Sequence, residues 1–315
     1  MADLGLNLST KRTCKREFLD EMNRLVPWAV LVTLIATEGK RGRPPFGVEA
    51  MLRIHFLQQW FGLSDPAMEG ALHDVPLYRE FAGLDNWTVR LPDESTFLRF
   101  RHLREMYKLA AQILALVNDI LRDKGLMLRA GTVEDATLIS ASSSTKNASG
   151  ERDPEMHQSK KGNQWYFGMK AHIGVNAESG LVHTVRGTSG NVSDVLEANS
   201  LLHGEETDAF GHAGYQGVRK RPDARAGVNW HVATKSGRRR ALNKSKPLHA
   251  LIDQVERIKA GIRAKVEHPF RVIKRQFGYT NVRYRGMRKN TAQLVTLFAL
   301  SNLWMARCKL LTAGA

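Results

Sequence analysis

Cysteine is nearly absent. The 315 residues hold two, Cys14 and Cys308, at opposite ends of the chain. With no CxxC pair and no further thiols, neither a cysteine zinc site nor a disulfide scaffold can be built from them, and reduced thiols are expected. Long apolar runs are also missing. The longest, Trp28 to Ala36, is too short to span a bilayer and contains Thr33. No charged, then apolar, then small-residue leader opens the chain. A secreted or membrane-spanning protein is therefore not expected, and a cytoplasmic location is. No internal repeat is visible. Hydrophobic residues make up 43% and charged residues 25%, which excludes wholesale disorder and leaves material for a sizeable core. The length suggests two domains as a soft prior.

The net charge of +16 is not spread evenly. From Arg219 to Lys289 there are 21 Lys/Arg against 4 Asp/Glu, whereas the rest of the chain holds 26 against 27. Clusters include Arg219-Lys220-Arg221, Arg238-Arg239-Arg240, Arg271 with Lys274-Arg275, and Arg283, Arg285, Arg288-Lys289. A phosphate backbone is the commonest partner of such a surface, because neutralising phosphates releases condensed counterions. The bland alternative is a solvated basic face.

Residues 1–128 read as a helical domain, with DNA binding or dimerisation as its expected role. Apolar spacing predicts helices over Val48–Phe61 and Leu103–Leu121, the latter stopped by Gly125. Ser64-Asp65-Pro66 and Asp93-Glu94-Ser95 are helix starts. Arg99, Arg101, His102 and Arg104 on one helix fit a helix-turn-helix-like module, and an all-helical packing domain fits equally well. The texture changes over 129–315. Strands are predicted at Thr132–Ile139, Trp165–Val175, Leu181–Arg186, Asp208–Tyr215 and Trp230–Thr234. A helix is predicted at Ser193–Leu202 and a long one at Leu248–Arg275, making a mixed α/β domain. Ser140–Gln164 reads as a loop, and 219–247 as a basic, DNA-facing insertion.

Two acids stand out. Asp135 alternates onto the face of Val133, Thr137 and Ile139, where a carboxylate is costly unless paired or bound to metal; an edge strand in solvent is the alternative. Glu267 is the only acid after Glu256 in the most basic part of the chain. Arg263 and Lys274 fall near its helix face, and His268-Pro269 follows it, where the helix should kink or restart. A surface salt-bridge ladder is the alternative reading. Carboxylates among cations suit Mg²⁺ beside phosphate.

VEDATLI (133–139), WYFGMKAHIGV (165–175), TSGNVSD (188–194), AGYQG (213–217), NWHVATK (229–235) and RAKVEHPFRVIKRQFGY (263–279) resemble bacterial DDE transposases of the insertion-sequence-five family. GRPPFGVEAMLRIHFLQQWFGLSD (42–65) and LPDESTFLRFRHL (91–103) are similar to that family's helical N-terminal region. The resemblance runs through nearly the whole chain. It implies an α/β fold, a ribonuclease-H-like catalytic domain with a helical N-terminal domain. It also implies DNA as partner (element ends and target), a homo-oligomer, and Mg²⁺ or Mn²⁺ as cofactor. Asp135 then corresponds to the first catalytic acid and Glu267 to the last, both as metal ligands. Arg263 and Lys274 match the signature's Arg and Lys, and Ala260 stands where the signature has Tyr.

The second acid is the main departure: His212 occupies the aspartate position before Ala-Gly-Tyr-Gln-Gly. Asp208 lies about 13 Å back along a strand and cannot replace it. The position of Asp194 is not legible. Imidazole removes a negative charge and suits Mg²⁺ poorly. The expectation is a transposase fold that binds DNA but has lost most Mg²⁺-dependent strand transfer, with Mn²⁺ restoring at most a trace. A non-catalytic DNA-binding relative that occupies transposon ends is the second reading, and a nuclease that cuts without joining is the third. DNA contacts are expected from Arg238, Arg239, Arg240, Arg263, Arg271, Lys274, Arg275 and Lys170. His172 shares a strand face with Lys170 and could also touch phosphate. Trp165 and Tyr166 are candidates for base stacking, with core packing favoured.

Overall fold

The computed structural model describes residues 12–35, 46–84, 90–128 and 131–313. Two compact units emerge: residues 1–59, 63–102 and 306–315 form one, residues 60–62 and 103–305 the other.

Short helices make the first unit: α1 (Cys14–Leu25), α2 (Trp28–Thr33), α3 (Val48–Phe61), α4 (Asp65–Asp74), α5 (Pro76–Ala82) and α6 (Glu94–Met106). Their starts follow the capping chemistry in the sequence. Ser64 Oγ accepts the Ala67 amide with Pro66 in the first turn of α4. Asp93 Oδ1 accepts the Thr96 amide at 2.8 Å at the start of α6. Trp28, Phe56 and Phe81 are buried together, and the Arg53 guanidinium lies 4.2 Å from the Trp28 ring centroid. Of the basic residues on α6, Arg101 is paired with Asp65 inside the unit, while Arg99 and His102 are exposed.

The predicted helix 103–121 is in fact two. Lys108 adopts φ +51° and breaks it, so α6 ends at Met106 and α7 (Leu109–Asp123) starts afresh. The break leaves Met106 exposed, while Leu109, Ile113, Leu114, Val117 and Leu121 are buried in the second unit.

That unit is built on six strands: β1 (Gly131–Ser140), β2 (His157–Lys161), β3 (Gln164–Asn176), β4 (Val182–Ser189), β5 (Asp208–Gly211) and β6 (Asn229–Val232). The order is β2-β3-β1-β5-β6, with β4 also on β3. The β3 strand runs antiparallel to β1, β2 and β4, whereas β5 and β6 add in parallel. Three antiparallel strands followed by parallel ones, with helices against the sheet, are a ribonuclease-H-like α/β arrangement. Because β1 lies between β3 and β5, the edge-strand alternative for Asp135 is removed.

Helix α8 (Asp194–Leu201) covers β1, β3 and β4 and shares a core with β5 and β6 made of Ala198, Leu202, Ala209, Tyr215, Val218 and Trp230. One prediction of loop is corrected. Ser140–Gln164 contains β2, which pairs with the start of β3 through a turn at Gly162 with φ +62°. The 219–247 stretch contains β6 and α9 (Ser236–Arg240).

The long predicted helix is broken as well. After α10 (Pro247–Arg263) come a 3₁₀ turn (Ala264–Val266), α11 (Glu267–Arg271) and a π turn (Val272–Gln276). Pro269 has no amide to give Lys265, which explains the interruption. The apolar residues divide accordingly. Val266, Phe270 and Ile273 are buried, but Leu248, Leu251, Ile252, Val255 and Ile258 of α10 are exposed, while Asp253 and Glu256 are buried in ion pairs.

The last helix, α12 (Met287–Ala313), is long and apolar enough to cross a membrane by length and composition. It is a core helix here. Leu294, Leu297, Phe298 and Leu300 are buried, and Asn302 exchanges hydrogen bonds with the Val182 backbone.

Candidate active site

The site forms where β1, β3, the end of β5 and the start of α8 meet. Asp135 is 7% exposed in the middle of the sheet, and its Oδ1 accepts the Ala136 amide at 2.8 Å. His212 follows β5 directly, and its Nδ1 accepts the Gly214 amide at 2.7 Å, capping the 3₁₀ turn Ala213–Tyr215. This cap aims the other ring nitrogen inward. His212 Nε2 lies 3.4 Å from Asp135 Oδ1 and 3.3 Å from Asp194 Oδ2.

Asp194 is the residue that sequence reasoning left unplaced. It is the first residue of α8, and Lys170 Nζ donates to its Oδ1 at 2.9 Å. Its sequence signals were its place at the end of TSGNVSD and the Ser-Asp helix start there. Asp208, by contrast, pairs with His231 at 2.7 Å and stays out of the site.

Electrostatics tie the group together. Burial pushes the Asp135 carboxyl up; His212, the Ala136 amide and Arg263 pull it back down, and the charge of Glu267 raises it again. The contact with Asp194 raises His212, against burial and with help from Asp135. Burial opposes the charge on Asp194, but the contacts from His212 and Lys170 prevail and bring its pKa to about 2. The arrangement is a histidine between two carboxylates, with Nδ1 accepting the Gly214 amide and Nε2 directed at both acids.

Glu267 is exposed, opens α11, and acts electrostatically on both Asp135 and Lys274. Lys274 reaches back to β1, donating to Thr137 Oγ1 at 2.6 Å and to the Leu138 carbonyl at 2.9 Å. Burial lowers its pKa. Arg263 is half-buried and acts on Asp135 and His212. The broken helix thus gathers Arg263, Glu267 and Lys274 around β1.

Other candidates fall elsewhere. His172 is fully buried, with Nε2 2.8 Å from Thr188 Oγ1, so it cannot touch phosphate. Lys170 is half-buried and held by Asp194 and the Val192 carbonyl. Arg239 is bonded to Asp253 at 2.8 Å, whereas Arg238, Arg240, Arg271 and Arg275 are exposed. Trp165 is 62% exposed beside the β2–β3 turn, so the core-packing preference is overturned; Lys160 Nζ lies 6.0 Å from its ring centroid.

Residues 128–303 match the family model described as a transposase DDE domain, and residues 6–103 match the transposase domain DUF772. The chain is a member of the DDE transposases. The pair of matches is typical of the insertion-sequence-four and insertion-sequence-five types. The family is one of phosphoryl-transfer enzymes, and its members generally use a divalent metal.

The donors of this transposase do not fit a pair of Mg²⁺ ions. Mg²⁺ takes oxygen ligands in near-octahedral geometry and keeps its waters. Asp135, Asp194 and Glu267 supply oxygens, but His212 supplies a neutral nitrogen, or a positive charge when protonated. Its ring also occupies the space between the two aspartates.

His172 gives a pH prediction. Burial lowers its pKa to about 4, against the opposing pull of Asp194. An unfolded histidine titrates near 6.5, so between those values the unfolded chain binds a proton that the folded chain refuses. The resulting stability is complete above about pH 6.5 and is lost as pH falls through 4. His172→Gln keeps a polar partner for Thr188 without titrating. Its denaturant stability should fall less between pH 7 and pH 4.5, by on the order of 2 kcal/mol. Identical pH slopes for the two proteins would refute this.

Proposed function

We propose that this chain is the transposase of an insertion sequence. On this reading it grips the ends of its element in the bacterial cytoplasm as a dimer or larger assembly, but its Mg²⁺-dependent cutting and joining is impaired. The reading rests on the contacts of His212 Nε2 with Asp135 and Asp194, at 3.4 and 3.3 Å. An imidazole N–H there engages the acids that the family devotes to metal. The basic segment keeps its affinity for phosphate whatever the state of the acids. Arg238, Arg240, Arg271 and Arg275 are exposed and supply contacts to DNA. Lys170, Arg239 and Lys274 are engaged within the fold and serve as positioning residues.

Paired assays on the unmodified chain test this proposal. Duplex carrying the element ends should bind in EDTA, with affinity falling steeply as salt rises. Cleavage and joining in Mg²⁺ should be at background. Full strand transfer in Mg²⁺ would overturn the impairment, and salt-insensitive or absent binding would overturn the grip on DNA.

Trp165 is placed to stack on an unpaired base beside Lys160 and Lys161. Trp165→Ala should weaken binding to ends with a single-stranded flank about tenfold, and binding to blunt duplex far less. Equal losses on both substrates would argue against stacking.

A further inference from the structure

A second cluster of metal-binding side chains lies on the opposite face of β1. Strand alternation sends Asp135 to one face and Thr132 and Glu134 to the other. On that second face, one donor atom from each of His183, His203 and Glu206 lies within 4.8 Å of the other two. They come from three separate places: β4, the turn after α8, and the approach to β5. The imidazole rings of His183 and His203 meet edge to face with centroids 4.9 Å apart.

Both rings border a cavity of about 260 Å³, lined also by Asn118, Arg122, Met127 and Leu128. We propose that His183, His203 and Glu206 form a structural site for a zinc-class divalent cation, separate from the Asp135 centre, with a remaining coordination position open to this cavity.

The chemistry of the donors selects the ion. Two imidazole nitrogens and one carboxylate suit Zn²⁺ or Co²⁺ and disfavour Mg²⁺ and Ca²⁺. A ring of supporting hydrogen bonds is already in place. His183 Nδ1 lies 2.9 Å from Thr184 Oγ1, which leaves Nε2 as the donor to metal. Thr132 Oγ1 donates to Glu206 Oε1 at 3.0 Å, and the Gly204 amide donates to Glu206 Oε2 at 2.7 Å, so the carboxylate is held in place.

The cation would displace two existing contacts. His183 Nε2 is 3.0 Å from Thr132 Oγ1, and His203 Nε2 is 3.4 Å from Glu206 Oε1. It would also cost the 3.3 Å contact in which His203 Nδ1 accepts the Glu205 amide, because that nitrogen then carries the proton.

A second observation is the buried carboxyl of Glu134. It is 0% exposed, neither oxygen has a hydrogen-bond partner, and it is close enough to Glu206 for their charges to oppose. Such a group is expensive to bury, and a neighbouring dication offsets that cost. The bound ion would tie β4 to the segment that feeds β5 and hence His212.

The test uses the full, tag-free chain, stripped with chelator and titrated with Co²⁺ and then Zn²⁺. A parent carrying Asp135→Asn, Asp194→Asn and Glu267→Gln removes the acids of the first centre. One equivalent of Co²⁺ should bind this parent, with the visible absorption of a low-coordinate Co²⁺ ion, and Zn²⁺ should displace it and raise the melting temperature. Adding His203→Ala should weaken binding at least about tenfold. His203 is the least buried ligand; His203→Gln guards against misfolding and should behave the same way. Failure of the parent to bind one equivalent, or unchanged binding in both His203 variants, would overturn the site. Neither result bears on DNA binding, so the transposase reading is judged separately.

Discussion

His212→Asp should raise Mg²⁺-dependent cleavage of element-end DNA at least about 100-fold over the unmodified chain. Loss of a mere supporting partner of a metal ligand costs 10–100-fold, and a lost ligand carboxylate belongs at or beyond the top of that range. A factor of 100 corresponds to about 2.7 kcal/mol of barrier. The fold is prepared for the change. His212 caps a 3₁₀ turn through its contact with the Gly214 amide, and aspartate is among the best residues for that role. Tyr215, 5.1 Å away ring to ring, keeps its buried place.

The electrostatic consequence is equally testable. His212→Asp leaves three aspartates converging, with Arg263 and Lys170, which already holds Asp194, as the cations that act on them. The variant should melt lower than the unmodified chain in EDTA and recover in Mg²⁺, whereas the unmodified chain should respond little to Mg²⁺. Cleavage that stays at background while Mg²⁺ restores stability would mean that a further defect lies elsewhere. If neither cleavage nor stability responded to Mg²⁺, the assignment of position 212 to the metal centre would fail.

The second large effect is structural. Gly168→Ala should destabilise the sheet unit by about 3 kcal/mol or more, read as a lower denaturant midpoint. Gly168 pairs with Ser140 of β1 and with His157 of β2, and its carbonyl accepts the Gly190 amide. A Cβ there would stand 2.1 Å from the Ile139 carbonyl oxygen and 3.0 Å from the Ala141 nitrogen. Those are backbone atoms of the strand that carries Asp135 and of the residue that follows it, so relief requires the strands to part. Gly261→Ala is the natural control. It lies in α10 with nothing within 4 Å of the added carbon, and it should gain up to about 1 kcal/mol from helix propensity. Equal midpoints for the two variants would show that close backbone approach is not what requires glycine at 168.

Much of the molecule was legible from local chemistry. Ser64-Asp65-Pro66 and Asp93 start helices because capping depends on neighbouring atoms alone. The alternation of VEDATLI predicted both the strand and the face on which Asp135 is buried. The charge imbalance and the two separated acids pointed to phosphoryl transfer, and the family matches agree with that class. Helix breaks were less legible. Lys108 takes a left-handed conformation that no residue type announces, and Pro269 signalled a break without saying how far the apolar stripe would be cut.

By itself, then, the amino-acid order determined most of the strands and several helix starts, the family, the concentration of positive charge, and the oddity of a histidine where an aspartate belongs. Only the tertiary structure decided that this histidine touches Asp194 as well as Asp135, that Lys170, Arg239 and Lys274 are engaged inside the fold, and that Trp165 stands in solvent. The physical reason is that those contacts join atoms from residues 14 to 137 positions apart, over distances of 2.6–3.4 Å that periodicity along one segment does not encode.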